Sequence, residues 1–278
     1  MARIEVDGLQ LNVEQHGSGP AVVLLHGFTG SATTWNSLTD LLSPEFEVIA
    51  IDIVGHGESD APVEVDRYRM DRCTEDLVTL LAKLGHEHAT WLGYSMGART
   101  ALQLAVLHPD AVDALVLEGV TAGLPDAGER ATRIEGDEAL ADRIRDEGLG
   151  AFVDFWQSIG LWDTQMGMPA VRLAALREQR MRSDPVGLAN SLRGMGAGAQ
   201  EPVIDRLGEV RAPVLLIAGS LDQKFTDIAQ ELLDVLPRGK FAAIEGVGHA
   251  AHFEDAAAFN DSVLEYLRRI HSGEISDG

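Results

Sequence analysis

The sequence predicts an α/β fold built on a mostly parallel sheet that is flanked by helices. Over the first 120 residues, short apolar runs rich in β-branched residues alternate with longer amphipathic segments, which is typical of βαβ units. The apolar runs are continuous, as expected of strands that are buried on both faces of a parallel sheet. A chain of 278 residues, 45% of them hydrophobic, can bury one large core.

The elements follow one another in a regular order along the chain. Segments 4–6 and 11–14, separated by Asp7-Gly8, predict a leading hairpin. Six buried strands are predicted at 22–25, 48–51, 90–93, 114–117, 214–218 and 241–244. Helical patterns lie at 33–42, 71–84, 96–107 and 255–269.

The strand pattern disappears between residues 121 and 206, where helix-like segments are broken by glycine and proline. The sheet needs strands from both sides of this stretch, so it is predicted to be an insertion and not an independent domain. We therefore expect a core formed by residues 1–120 and 207–278 and a helical cap, 121–206, inserted after strand 6. The tail at 272–278 is expected to be disordered.

The charge excludes some classes of partner. Forty-four acidic residues against 22 basic ones give a formal net charge of -22, which argues against nucleic acid or an anionic membrane as partner. Only three basic residues are lysines, which fits either adaptation to high salt or a GC-rich genome. No apolar run is long enough to span a membrane, and no secretory leader precedes the hairpin, so a cytoplasmic location is expected. Cys73 is the only cysteine, which excludes internal disulfides and thiolate metal clusters.

The strongest local motif is Gly93-Tyr94-Ser95-Met96-Gly97, which fits G-x-S-x-G between a predicted strand and a predicted helix. A serine in this context lies on a tight turn that exposes its hydroxyl above the carboxyl edge of the sheet. The first N–H groups of the helix then point towards developing negative charge. The motif predicts a nucleophile or base at this serine; the alternative is a serine that merely caps the helix.

A serine hydroxyl needs a neighbouring imidazole to act as base or nucleophile. In this arrangement an acid and then a histidine are expected after the serine along the chain. Asp222 and His249 each follow the carboxyl end of a predicted strand, where open α/β sheets gather their ligands. Asp222 could instead be a helix N-cap, and His249 a structural loop residue. His252 is the local competitor, but it lies further towards the next helix, so the predicted order is Ser95, Asp222, His249.

The loop at 26–30 follows the first buried strand and predicts half of an oxyanion hole. The backbone N–H groups of Phe28 and Met96 are the expected donors. We expect His26 to bond to the backbone of this turn, and His56 to be structural as well. No pair of histidines at helical spacing with a carboxylate indicates a metal site.

The chain resembles the α/β-hydrolase superfamily over nearly its whole length. Within it, the sequence is similar to the 2-succinyl-6-hydroxy-2,4-cyclohexadiene-1-carboxylate (SHCHC) synthase family of menaquinone biosynthesis. Four segments carry this similarity. The first runs from Gly93 to Arg99 and is close to the family's G-Y-S-M-G-G-R. The others are 187–196 together with Gln200, 221–225 and 248–250. Two departures are Ala98, where a second glycine is usual, and Val54, where proline is common; neither changes the proposed chemistry.

The resemblance implies a substrate, SEPHCHC, that carries succinyl, enolpyruvyl and ring carboxylates. Arg99 follows Ser95 by one helical turn on the same face, and arginine binds carboxylates bidentately while staying charged. The substrate-binding residues implied are Tyr94, Arg99, Arg133, Trp156 and Arg180, with Arg177 and Arg182 as alternatives one turn away. The competing interpretation is that these arginines pair with the surplus carboxylates on solvated faces.

The implied reaction eliminates pyruvate after proton abstraction, with no metal or organic cofactor. The enzyme would be a carbon–oxygen lyase acting on a small tricarboxylate, as a monomer or small homo-oligomer. Two alternatives use the same fold: a hydrolase of a carboxylated ester or carbon–carbon bond, and a non-catalytic member. Because every position of the predicted triad is filled, the non-catalytic alternative is disfavoured.

Overall fold

The computed structural model describes residues 2–274 and contains one eight-stranded sheet in the order β1-β2-β4-β3-β5-β6-β7-β8. This architecture confirms the predicted fold class. The strands are β1 (Ala2–Val6), β2 (Leu9–His16), β3 (Ala21–Leu25), β4 (Glu47–Ile51), β5 (Ala89–Tyr94), β6 (Val112–Glu118), β7 (Val214–Gly219) and β8 (Gly239–Ile244).

The leading hairpin is antiparallel, and β2 also pairs antiparallel with β4. All other pairings in the sheet are parallel. Every residue of β3, β5 and β7 is buried, which explains why these strands are continuous apolar runs in the sequence. Because the central strands run in one direction, their carboxyl ends meet at one edge of the sheet, where ligands of such sheets bind.

Ten α-helices surround the sheet or lie between β6 and β7. They are α1 (Asn36–Leu42), α2 (Met70–Lys83), α3 (Met96–Leu107), α4 (Ala127–Glu147), α5 (Leu149–Trp156), α6 (Ala170–Arg180), α7 (Pro185–Met195), α8 (Gln223–Leu233), α9 (Ala251–Glu254) and α10 (Ala256–His271), counted over residues 2–274. Short 3₁₀ segments occur at Ala32–Trp35, Val65–Tyr68, Pro109–Ala111, Gly160–Gly167 and Ile204–Glu209. In the tail for which disorder is predicted, residues 272–274 are described, and 272 and 273 extend α10 by hydrogen-bonded turns; residues 275–278 lie outside the described residues.

The core has one layer on each face of the sheet. Along β3, Val23 and Leu25 face a layer formed with α2, α3 and α8, while Val22 and Leu24 face a layer formed with α1 and α10. This alternation follows from the two-residue period of a strand. No helix in the described part of the chain is long and apolar enough to cross a membrane.

Helices α4 to α7 lie between β6 and β7, in the stretch for which the sequence predicts a cap. They have a small core of their own, to which α4, α5 and α7 contribute. Helix α7 is seated directly on the loop after β4: a Cβ on Gly187 would lie 2.2 Å from the carbonyl oxygen of Gly55. The glycine at the start of the 187–196 segment is therefore required for close packing and not for chemistry.

Candidate active site

Ser95 lies on a strained turn between β5 and α3. Its backbone has φ 50° and ψ -104°, and its N–H donates to the carbonyl of Glu118 at 2.8 Å. Helix α3 starts so close to β3 that a Cβ on Gly97 would lie 2.2 Å from the carbonyl oxygen of Leu25. The serine side chain makes no capping hydrogen bond, so the alternative of a mere helix cap does not describe it.

His249 stands between Ser95 and Asp222. Its Nδ1–H donates to Asp222 Oδ2 at 2.8 Å, and the Ser95 hydroxyl lies 3.3 Å from Nε2 and can donate to it. Asp222 Oδ1 also accepts from the N–H of Phe225 at 3.4 Å. Asp222 is therefore both the N-cap of α8 and the carboxylate that contacts His249. The carboxylate fixes the imidazole so that Nε2 is free to take the serine proton.

His252, the competing histidine, faces another carboxylate. Its Nδ1–H donates to Glu118 Oε2 at 2.8 Å, and its backbone N–H donates to Oε1 at 3.1 Å. Both side chains are buried. Glu118 was not predicted as a site residue. The signal that could have identified it is a carboxylate at the end of an apolar strand next to the Ser95 turn, where it can pair with a histidine.

The loop after β3 is held by a buried neutral histidine. The Nδ1–H of His26 donates to the Gly27 carbonyl at 2.8 Å, while Nε2 accepts from the N–H of Ile53 at 3.0 Å. Burial lowers the pKa of His26 to about 4. Phe28 follows in this loop and lines the same cavity as Met96; its N–H has no hydrogen-bond partner in residues 2–274.

His56 is also structural. Its ring is buried, 5.0 Å from that of His26, and Nδ1–H donates to the Val54 carbonyl at 3.2 Å. Burial, together with the nearby His26, lowers the pKa of His56 to about 3. The ring therefore remains neutral at ordinary pH and stays tied to its own loop.

Ser95 opens into a cavity of about 550 Å³ that lies between the sheet edge and helices α4, α5 and α7. His249, Arg99, Arg133 and Trp156 contribute to its wall. The structure therefore brings most of the predicted site residues into one chamber. Among residues 2–274, no group of three or more His, Cys, Asp or Glu side chains could hold a metal ion.

Arg99 is the unusual group in this chamber. It is 8% exposed, and its Nη1 donates to the Met195 carbonyl at 2.8 Å and to Gln200 Oε1 at 2.7 Å. No carboxylate within residues 2–274 pairs with it. Burial, and then the positive charge of Arg133, lowers the pKa of Arg99 to about 10. A buried guanidinium held by neutral acceptors keeps its charge available for an anion from solution.

The two other predicted arginines differ from Arg99. Arg133 lies on the cavity wall but bonds to Asp137 at 2.9 Å, which partly neutralises it. Arg180 lines an adjoining cavity of about 540 Å³. It is buried, its guanidinium lies 5.3 Å from the ring centre of Trp162, and Nε and Nη1 have no partner within the described residues. Burial lowers the pKa of Arg180 to about 10.

The alternatives one turn away lie on solvated faces. Arg177 pairs with Asp154 at 2.7 Å, and Arg182 pairs with Glu178 at 3.0 Å. All four side chains of these pairs are exposed. The interpretation that surplus carboxylates neutralise surface arginines therefore describes this pair of arginines.

Aromatic side chains separate the two cavities. Phe28, Tyr94 and Trp162 line both of them. Tyr94 is buried with its hydroxyl unpartnered within residues 2–274, and its ring centre lies 5.4 Å from that of His249. Burial raises the pKa of Tyr94. Trp162, whose ring centre lies 5.9 Å from that of His249, was not predicted as a site residue. The sequence shows only that it is an aromatic residue within the inserted segment, which does not indicate a place in the site.

The strand order and the helices on both faces place the chain in the α/β-hydrolase class, and a profile of the alpha/beta hydrolase fold matches residues 20–157. A Bacillus subtilis (strain 168) protein, provisionally named 2-succinyl-6-hydroxy-2,4-cyclohexadiene-1-carboxylate synthase, is 41% identical, covering 95% of this chain and 97% of that protein. A Citrobacter koseri protein that bears this name is 32% identical, with 93% and 98% covered. The structure of MenH from S. aureus superposes with a TM-score of 0.89 at 29% identity, covering 94% of this chain and 98% of that one. The chain belongs to the SHCHC synthase family.

Proposed function

We propose that the protein is an SHCHC synthase, which eliminates pyruvate from SEPHCHC in menaquinone biosynthesis. The observation that carries this proposal is Arg99: a buried guanidinium, without a carboxylate partner in the described chain, lies in the same cavity as Ser95. An enzyme for neutral esters gains nothing from such a charge, whereas a polycarboxylate supplies the missing anion. The names of the relatives support the same activity.

The first step is proton abstraction. His249 takes the proton of the Ser95 hydroxyl, and the serine oxygen removes the ring proton next to the succinyl ketone of the substrate. Asp222 holds the imidazole in the required tautomer and stabilises it when it becomes charged. The 3.3 Å separation of serine and imidazole allows this transfer after a small closure.

The second step expels the leaving group. Negative charge that develops on the ketone oxygen is stabilised by the N–H groups of Phe28 and Met96. The electron pair of the broken C–H bond forms the new ring double bond, and the C–O bond to the enolpyruvyl group breaks. The leaving enolate takes up the proton held by His249 and becomes pyruvate, which restores the neutral imidazole; no acyl-enzyme forms and no cofactor is consumed.

The remaining cationic and aromatic groups would bind and enclose the substrate. Arg99, Arg133 and Arg180 are proposed to bind carboxylates, and Tyr94 and Trp156 to form apolar wall. Helices α4 to α7 would exclude water from the reacting centre. We further propose that the enzyme works in the cytoplasm, as a monomer or small homo-oligomer, without nucleic acid or membrane as partner. The net charge of -22 supports the last point.

The test is an assay of the purified protein with enzymatically generated SEPHCHC, in which pyruvate release and the new diene absorbance are followed together. Both should appear in equal amounts. Ser95→Ala should lower kcat by about a thousandfold or more, because the proton acceptor is removed. His252→Gln is a matched control at the neighbouring histidine, and it should retain most of kcat.

Absence of both products, at low and at high salt, would contradict the lyase. In that case p-nitrophenyl esters with and without a free carboxylate would test the hydrolase alternative. A Ser95→Ala variant with wild-type turnover would refute the assignment of the base, whatever the substrate.

A further inference from the structure

Lys224 lies in the wall of the Ser95 cavity, although the predicted site did not include it. It lines the same chamber as Arg99, Arg133 and His249. It comes from α8, whereas the two arginines come from α3 and α4. Three elements that are distant in the chain therefore each bring a cation to this chamber.

The ammonium group of Lys224 is free of competing charge. It makes no hydrogen bond or ion pair with residues 2–274, and its nitrogen lies 5.5 Å from the ring centre of Phe225. That ring in turn lies 4.4 Å from the ring of His249. The charged end of this exposed lysine thus lies near the Phe225 ring, on the side of the cavity where His249 lies.

The local backbone disfavours a cation at this position. Asp222 is the N-cap of α8, so Lys224 occupies the first turn, and no acidic residue is present there. The N-terminal end of a helix carries partial positive charge and favours anions. A lysine at this point opposes helix stability, which argues for a role outside the folding of α8.

We propose that Lys224 binds a carboxylate of the substrate at the mouth of the cavity and so contributes to selection of a polycarboxylate. This inference rests on the proposed function, since it names a further contact of the same site. Lysine suits the position because its flexible stem and compact charge can follow a carboxylate that is still partly hydrated. The contact strengthens ground-state binding and takes no part in the proton transfer.

The test uses Lys224→Gln, with Lys224→Arg as the conservative variant and Lys240→Gln as the matched control. Lys240 is an exposed lysine near the amino end of β8, at the opposite edge of the sheet from the site. Removal of an exposed cation–carboxylate contact should raise KM for SEPHCHC about fivefold, with kcat within about twofold of wild type. Lys224→Arg should restore KM, and Lys240→Gln should not change it.

A titration that needs no turnover separates this inference from the proposed function. Tryptophan fluorescence from Trp156 and Trp162 would report binding of 2-succinylbenzoate, an aromatic dicarboxylate, to wild type and to each variant. Lys224→Gln should raise Kd about fivefold, while its melting temperature should stay equal to or above that of wild type. If no pyruvate is released but wild type binds this probe and Lys224→Gln binds it more weakly, the proposed function fails and the lysine contact stands.

Two results with the variants would overturn the inference, and a third result with wild type would overturn it together with the proposed function. One is a KM and a Kd for Lys224→Gln that both remain within about twofold of wild type. The other is an equal rise in Lys240→Gln, which would make the effect one of net charge. A wild-type protein that neither releases pyruvate nor binds the dicarboxylate overturns both the inference and the proposed function.

Discussion

Replacing Arg99 by methionine should separate stability from activity. Methionine preserves much of the apolar stem, removes the charge and leaves the hydrogen-bond acceptors on Met195 and Gln200 without their donor. Burial has moved the pKa of Arg99 from 12.5 to about 10, which corresponds to about 3 kcal/mol of unfavourable charge burial. Loss of the charge relieves this cost.

The stranded acceptors oppose that gain. A buried carbonyl without a donor costs about 1 kcal/mol or more, so two of them cost about 2 to 3 kcal/mol. The two effects nearly cancel, and the free energy of unfolding of Arg99→Met should remain within about 1 kcal/mol of wild type. Urea unfolding at constant salt measures this difference.

Activity should respond very differently. A buried charge-assisted contact with the substrate carboxylate contributes about 3 kcal/mol, so kcat/KM for SEPHCHC should fall about a hundredfold. Arg268→Met is the matched control, because it removes an exposed arginine that pairs with Glu45. An unchanged kcat/KM would refute the role of Arg99 in binding. A loss of more than about 3 kcal/mol of stability would refute the claim that no carboxylate pairs with Arg99 in the folded protein.

Three further changes test neighbouring features. Gln200→Glu should raise the melting temperature and lower kcat/KM at least about tenfold, because the orphaned Gln200 Nε2 is replaced by a carboxylate 2.7 Å from Arg99; unchanged kinetics would contradict this. Gly97→Ala should destabilise the fold by about 1 to 3 kcal/mol and lower kcat, since its Cβ would lie 2.2 Å from the Leu25 carbonyl oxygen. A fully active and stable variant would contradict this, because it would show that the backbone after β3 can move aside. His56 has a folded pKa of about 3 against 6.5 ordinarily, so the unfolded chain takes up the proton first, and stability that is complete above pH 6.5 falls as the pH drops towards 3. At pH 5 this loss is about 2 kcal/mol, so stability should fall between pH 7 and 5 by about 2 kcal/mol more in wild type than in His56→Phe, which keeps the similar contribution of His26; equal pH dependence of both would count against a buried neutral imidazole at position 56.

The sheet could be predicted from the sequence because its burial is local information. A strand that is covered on both faces carries few polar side chains, so segments 22–25 and 90–93 are recognisable without any knowledge of their neighbours. The turn at Ser95 is recognisable for a similar reason, since its close backbone approaches demand glycine at fixed spacing.

The partners of the arginines could not be predicted in this way. The excess of carboxylates in the sequence indicates that most arginines can form an ion pair. It does not indicate which arginine lacks a carboxylate partner. Arg177 meets Asp154 on another helix, 23 residues away, whereas Arg99 meets only neutral acceptors about a hundred residues away. These pairings depend on how the inserted helices dock on the core, and no short sequence pattern encodes that docking.

The acidic surface has a consequence for how a substrate reaches the cavity. Because the molecule carries a formal charge of -22, the tricarboxylate that we propose as substrate would be repelled at long range and attracted only near Arg99 and the other cations of the chamber. The ion atmosphere extends over about 30 Å at 0.01 M salt but only about 8 Å at 0.15 M. In dilute buffer, repulsion by the remote carboxylates therefore slows the approach of the substrate to the cavity. In concentrated salt that repulsion is screened, and attraction by the nearby cations decides whether the substrate binds. Dissolved salt thus favours association here, although it weakens most attractive contacts between charged molecules.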